Sequence, residues 1–112
     1  MKKIEAIIRP EKFNMAKDAL LQLGYSGMTI TEVKGHGNQK GISEMWRGRR
    51  FRIDLISKMK IEITAKDDDV EKIVNTIIEE SKTGSIGDGK IFIFNVENVY
   101  RIRTSESGEL AI

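Results

Sequence analysis

Ile4, Ala6 and Ile8 fall on every second position between Lys3, Glu5 and Ile7, which is the period of a half-buried strand and predicts one from Lys2 to Ile8. After Pro10 the period changes. Phe13, Ala16, Leu20 and Leu23 recur at helical spacing, and Gly24 is placed to end that helix in a left-handed turn. A second strand is expected from about Met28 to Lys34. The order then repeats: Met59, Ile61, Ile63 and Ala65 alternate with Lys60, Glu62 and Thr64, giving a strand with two unlike faces. Val70, Ile73, Val74, Ile77 and Ile78 form the cleanest helical stripe of the chain, just after the acidic run Asp67-Asp68-Asp69 that suits a helix N-terminus. Thr83-Gly84 closes this helix, and a last strand is expected from about Lys90 to Val96.

Two successive βαβ units of similar size, each with a right-handed crossover, predict an α+β fold. The expected form is a ferredoxin-like double βαβ (βαββαβ) sandwich of four strands and two helices, in a single domain spanning 1–112. Such a scaffold serves many activities, so it does not select one. Between the two halves, the segment from Gly35 to Ser57 has no convincing buried pattern. A loop of that length in a small domain is functional or disordered.

Composition removes several classes of chemistry. With no cysteine there is neither a disulfide nor a thiolate nucleophile nor a Cys-type zinc site. His36 is the single histidine, which rules out a multi-histidine metal site within one chain and weakens hydrolytic readings. The 19 basic and 17 acidic side chains leave a formal charge of +2, too little for a global pull toward nucleic acid or acidic membranes. No stretch approaches the ~20 apolar residues of a membrane span, and the charged start Met1-Lys2-Lys3-Ile4-Glu5 does not resemble a signal peptide. The cytoplasm is the expected compartment.

Three segments carry candidate chemistry. Thr83-Gly84-Ser85-Ile86-Gly87-Asp88-Gly89-Lys90 is a glycine-rich turn whose amides can approach a phosphate, with Lys90 adding charge; Gly-Asp-Gly-Lys is equally a tight turn feeding a strand, and the Walker spacing is missing. In Arg101-Ile102-Arg103, alternation along an extended segment is expected to set both guanidinium groups on one side, as a di- or triphosphate requires, although arginines also protect strand edges. Gly35-His36-Gly37-Asn38-Gln39-Lys40-Gly41 is glycine-rich with polar side chains suited to phosphate or a hydrated cation. His36 itself is expected to be a partly exposed bystander.

Taken together, these segments resemble the PII family over essentially the whole chain. The resemblance rests on the opening Met1 to Pro10, the stretch Gly27 to Gly35, Gln39-Lys40-Gly41, Thr83 to Phe92 and Arg101 to Thr104. It implies a homotrimer with nucleotide sites in the clefts between neighbours, where ATP or ADP binds. Thr29, Glu62 and Thr64 lie near the adenine in such a site, Gly35, Gly37, Asn38, Gln39, Gly87, Asp88, Gly89, Lys90, Arg101 and Arg103 surround the phosphates, and Phe92 adds apolar lining. The resemblance further implies Mg²⁺ on the ATP phosphates with Gln39 as its protein ligand, 2-oxoglutarate completing the metal shell, and Lys58 on a ligand carboxylate. Mg²⁺ accepts such oxygen-rich, ligand-supplied coordination.

An effector loop of about residues 37–57 is implied as well, meeting partners through Trp46, Arg47 and Phe51. The partners expected are an ammonium transporter or a nitrogen-metabolism enzyme, with membranes met only through a transporter and no nucleic acid. Asn38 stands where many members carry arginine, which puts one phosphate contact in doubt. Phe51 replaces the tyrosine that is nucleotidylated and Arg49 the serine that is phosphorylated, so both covalent routes are closed at those positions. The expectation is therefore a non-enzymatic sensor. An RNA-binding ferredoxin-like module is the rival, requiring stacking aromatics and a basic sheet face. A small phosphotransferase using Asp88 as base is a third reading, short of a second metal-binding carboxylate.

Overall fold

A computed structural model describes residues 1–36, 42–46, 49–53 and 55–112. In chain order it contains β1 (Lys2–Ile8), α1 (Phe13–Gln22), β2 (Met28–Gly35), β3 (Ile42–Trp46), β4 (Arg49–Ile53), β5 (Ile56–Ala65), α2 (Val70–Ser81) and β6 (Gly89–Asn95). The main sheet runs β2-β5-β1-β6 with every neighbouring pair antiparallel. β1-α1-β2 is therefore a split βαβ unit with β5 between its strands, and β5-α2-β6 is a second with β1 between its own. This interleaving is the ferredoxin-like α+β fold that the two periodic halves predict.

Alternation along the strands decides which face the helices cover. Ile4, Ala6 and Ile8 of β1 and Ile61, Ile63 and Ala65 of β5 are buried against Ala16 and Leu20 of α1 and Ile73 and Ile77 of α2. Each fully buried Ile or Leu contributes about 1.5–3 kcal/mol relative to exposure, so these few side chains dominate the apolar stabilisation. α1 ends as Gly24 predicts. Gly24 takes φ +94°, its N–H donates to Leu21 O at 3.0 Å, and the Tyr25 N–H donates to Leu20 O at 3.0 Å. These paired bonds satisfy the last carbonyls of the helix. The acidic run before α2 forms a single 3-10 turn, and Asp67 reaches the chain's own amino terminus at 3.0 Å.

Two boundaries differ from the sequence reading. β5 begins at Ile56 rather than Met59, because Gly35 and Lys34 of β2 pair with Ile56 and Ser57 and extend the ladder. Within the expected loop, β3 and β4 form a separate antiparallel ribbon from Ile42 opposite Ile53 to Trp46 opposite Arg49. In sequence Ile42, Glu44 and Trp46 alternate with Ser43 and Met45, so neither register is uniformly apolar and the period carried no signal. Among the described residues, no helix is long and apolar enough to cross a membrane.

At the start of β6 the backbone approaches β1 closely. Gly89 lies opposite Ile8 with φ +102°, and a Cβ there would stand 1.7 Å from the Ile7 carbonyl oxygen. At Gly84, φ is +88° but a Cβ would meet nothing within 4 Å. Gly84→Ala is therefore expected to cost only its backbone strain, about 1–2 kcal/mol. Gly89→Ala must also pull β6 off β1 and is expected to cost at least ~3 kcal/mol. Urea denaturation midpoints measured at one protein concentration decide this, and equal losses would contradict the close approach.

Candidate functional site

Strand directions bring four chain segments to one end of the sheet. β1 and β2 run the same way, so their C-terminal ends, leading to Arg9 and ending at Gly35, lie together. β5 and β6 run oppositely and begin there, placing Lys58 and the Gly87-to-Lys90 turn beside them. Between these segments lies a cleft of about 510 Å³ lined by Ile7, Gly35, His36, Ile56, Lys58, Ile86, Gly87, Gly89, Lys90 and Phe92. That volume suits a small ligand. Among these lining residues there are two lysines and no carboxylate, so the cleft favours an anion. His36 sits exposed at its lip.

The shape of the glycine-rich turn is set by Asp88 and by a residue that sequence reasoning passed over, Arg9. One Asp88 carboxylate oxygen accepts the N–H groups of Thr83 and Gly84, each at 2.9 Å. The other accepts the Thr83 hydroxyl and the Arg9 Nε–H, the latter at 3.0 Å. Arg9 Nη2 donates to Ile86 O at 2.9 Å, and Lys58 Nζ donates to Gly87 O. Three successive residues of the turn are thus held from the two central strands. Gly87 and Gly89 adopt φ near +103° and +102°, a conformation glycine alone takes without strain.

Electrostatics follow from these contacts. The Thr83 hydroxyl and amide, with Arg9 and the Gly84 amide, hold the Asp88 carboxyl well below the usual carboxylate range. A carboxylate already accepting four hydrogen bonds is poorly disposed to take a substrate proton, which weighs against the phosphotransferase reading. Any part of Asp88 in nucleotide binding lies in shaping the turn, since its side chain already serves four donors. Burial, then the Arg9 charge, pushes the Lys58 ammonium below its ordinary pKa.

Not all of the predicted residues come together. Gly35, Lys58, Gly87, Gly89, Lys90 and Phe92 line the cleft, with Asp88 immediately behind it. Thr29, Glu62 and Thr64 lie on the same uncovered sheet face but away from the cleft. The register places Phe92, Glu5, Glu62 and Thr29 in one row across four strands. Thr29 is thus about 14 Å from the strand bearing Phe92, at ~4.8 Å per strand. Glu62 is engaged by Lys3 at 3.1 Å and Lys60 at 3.7 Å, and the Lys3 hydrogen bond chiefly lowers its pKa.

Arg101 and Arg103 depart from the extended segment expected of them. Residues 102–104 form a turn, closed by Arg101 N–H to Glu106 O at 2.9 Å and Ser105 N–H to Arg101 O at 2.8 Å. The Arg101 guanidinium pairs with Glu106 at 3.0 Å while Arg103 is exposed, so the two forks are not laid side by side on a strand. Alternation could not reveal this, because the turn depends on the i to i+5 pairing with Glu106. Gly37, Asn38, Gln39 and Arg47, and the side chains of Trp46 and Phe51, lie outside the described residues.

The uncovered face is ionic rather than basic. Lys60 is spent on Glu5 at 3.5 Å as well as Glu62, and Lys3 stands 5.1 Å from the centre of the Phe94 ring. Phe92 and Phe94 occupy the edge strand, which weighs against a stacking platform for RNA. Among the described residues no cluster of three or more His, Cys, Asp or Glu could hold a metal.

The fold and its cleft define a class: a ferredoxin-like domain with a braced glycine turn and an anion-favouring cleft at one sheet end. Comparison with known proteins narrows it. Residues 1–106 match the family model "Nitrogen regulatory protein P-II". The chain is 57% identical over 112 residues to "Nitrogen regulatory protein P-II 2" of Methanothermobacter thermautotrophicus, covering all of this chain and 97% of that one. It is 53% identical to "Nitrogen regulatory protein P-II 1" of Escherichia coli and to "Nitrogen regulatory protein P-II" of Klebsiella oxytoca, with both chains covered completely in each case. The chain belongs to the P-II family, and it is a nitrogen signal-transduction regulator rather than an enzyme.

The Asp88 network makes stability depend on acid in a defined direction. At neutral pH the carboxylate is ionised in both folded and unfolded chains. As pH falls below about 4 the unfolded chain takes up this proton first, so the contribution present above about pH 5 is progressively lost. Asp88→Asn is expected to lower the melting temperature at pH 7 and to flatten its decline below pH 5. Glu62 and Asp67, also shifted downward, leave part of the slope in place. Melting curves between pH 7 and pH 3 check this, and parallel profiles for the two proteins would contradict it.

Proposed function

We propose that this chain acts in the cytoplasm as a homotrimer that binds ATP or ADP and 2-oxoglutarate and controls a partner protein through residues 37–57. The observation that carries the reading is the anion-favouring cleft: Lys58 and Lys90 face a glycine turn with positive-φ residues, and the lining holds no carboxylate. Phosphates suit the amides and Lys90, and Phe92 with Ile7 offers apolar surface to a base or ribose. The separation of Thr29, Glu62 and Thr64 from this cleft supports a site built by two chains, in which a neighbour's sheet edge supplies the adenine contacts. A closed cyclic arrangement then repeats the cleft at every interface.

Mg²⁺ arrives with the nucleotide. As the family resemblance implies, its ligands are phosphate and 2-oxoglutarate oxygens with Gln39, and Lys58 takes a carboxylate of the 2-oxoglutarate. Trp46, Arg47 and Phe51 form the partner contact, to an ammonium transporter or a nitrogen-metabolism enzyme, because arginine and aromatic side chains are the usual anchors of protein interfaces. With a phenyl ring at Phe51, small molecules are the switch.

Isothermal titration tests this directly. ATP and 2-oxoglutarate are expected to tighten each other in the presence of Mg²⁺, as reciprocal linkage demands, and 2-oxoglutarate alone is expected not to bind. Lys90→Ala should weaken ADP by about tenfold or more, the worth of a charge-assisted hydrogen bond. Gln39→Ala should abolish 2-oxoglutarate binding while leaving ADP largely unchanged. Tight 2-oxoglutarate binding without nucleotide, or identical behaviour of the two variants, would overturn the scheme.

A further inference from the structure

We infer that Lys58 is a releasable latch on the glycine turn: without a carboxylate ligand its ammonium holds the Gly87 carbonyl, and a carboxylate binding at Lys58 frees that carbonyl and loosens the nucleotide site. The inference rests on the anion-binding reading above and adds a coupling between its two halves. Its basis is an asymmetry between the two cations that brace the turn. Arg9 is fixed: its guanidinium spans Asp88 at 3.0 Å and Ile86 O at 2.9 Å and is only 16% exposed. Two simultaneous bonds to a planar fork are hard to displace. Among the described residues Lys58 instead makes one hydrogen bond, to the neutral Gly87 carbonyl, from a flexible stem on the wall of the open cleft.

An ammonium exchanges a neutral carbonyl for a carboxylate readily, because the charge-assisted bond is roughly twice as strong. Burial beside Arg9 already disfavours the Lys58 charge, so an incoming anion gains further by neutralising that repulsion. The freed carbonyl belongs to Gly87, at φ +103°, where no side chain restricts rotation. Gly89, two residues on, is pinned by its approach to Ile7, so any movement is confined to the segment before it. Lys58 is therefore a positioning residue for the nucleotide in addition to being a carboxylate ligand. Latch release opposes nucleotide binding, and only a ligand bridge such as the shared metal reverses that sign for ATP.

The test uses full-length protein, with ADP and no 2-oxoglutarate, comparing wild type with Lys58→Met. Loss of the latch is expected to weaken ADP by about 3- to 10-fold, the range of one hydrogen bond. The deficit should persist from about 0.1 M to about 0.5 M salt, where bulk charge attraction is largely screened. In carbonyl-¹³C NMR the Gly87 resonance should move in Lys58→Met, and should move the same way in wild type when 2-oxoglutarate is added to the Mg·ATP complex. An unmoved Gly87 carbonyl in the variant, or an ADP deficit that vanishes at high salt, would overturn the latch. Failure of 2-oxoglutarate to bind wild type would overturn the functional reading instead, while the ADP and carbonyl results on the variant still decide the latch.

Discussion

The ion pair between Arg9 and Asp88 ties the end of the central strand to the turn that opens the edge strand. Without it, residues 83–89 are a glycine-rich stretch with many accessible conformations. With it, Asp88 gathers the amides of Thr83 and Gly84 while Arg9 also takes the Ile86 carbonyl, and the turn acquires one shape. Placement of this pair is a consequence of topology. Arg9 follows β1 directly, and β6 begins opposite Ile8, so the antiparallel pairing delivers Asp88 to Arg9. An aspartate inside an anion-favouring site looks contradictory until its partners are counted: the carboxylate is consumed by the turn, and Lys58 and Lys90 define the charge the cleft presents.

The same sheet sets apart the two groups of residues that the proposed nucleotide site calls on. One end of its uncovered face carries the braced turn, Gly35 and Lys58, while Thr29 sits across the row from Phe92 by the width of the sheet and Glu62 one strand nearer. In the proposed arrangement different copies supply the two groups to one ligand. Lys3, Glu5, Lys60 and Glu62 knit the face between them into an ion-pair network. The network fixes these charges in place and leaves no basic sheet surface for RNA.

Much of this architecture was legible in the sequence. Alternation at Ile4, Ala6, Ile8 and at Ile61, Ile63, Ala65, with the stripe through Ile73 and Ile77, gives the helix-covered face, because burial on one face imposes its period directly. Gly24 announced a helix end for a stereochemical reason that holds in any context. The site was harder. Gly35, Gly87, Gly89 and Lys90 stand in glycine-rich segments that the sequence marks as phosphate candidates, whereas Lys58 and Phe92 enter only through the resemblance, since no spacing rule links residues on separate strand ends. Arg9 escaped notice as a lone charge after a strand, its partner being 79 positions away. Arg101 and Arg103 were read as strand residues because alternation is blind to a turn closed by Glu106. The ribbon within residues 37–57 left no periodic trace in its mixed apolar and charged sequence.

The central claim is that the nucleotide is held by residues from two copies of this chain, and subunit complementation addresses it most directly. Lys90→Ala damages the cleft half, whereas a Thr29→Val, Glu62→Gln double variant damages the sheet-edge half. Each protein alone should bind ADP poorly. Co-refolded in equal amounts, they should recover tight binding in about one quarter of the clefts, those in which both halves are intact. Recovery confined to no clefts at all, or tight ADP binding by the Thr29→Val, Glu62→Gln protein on its own, would contradict a shared site.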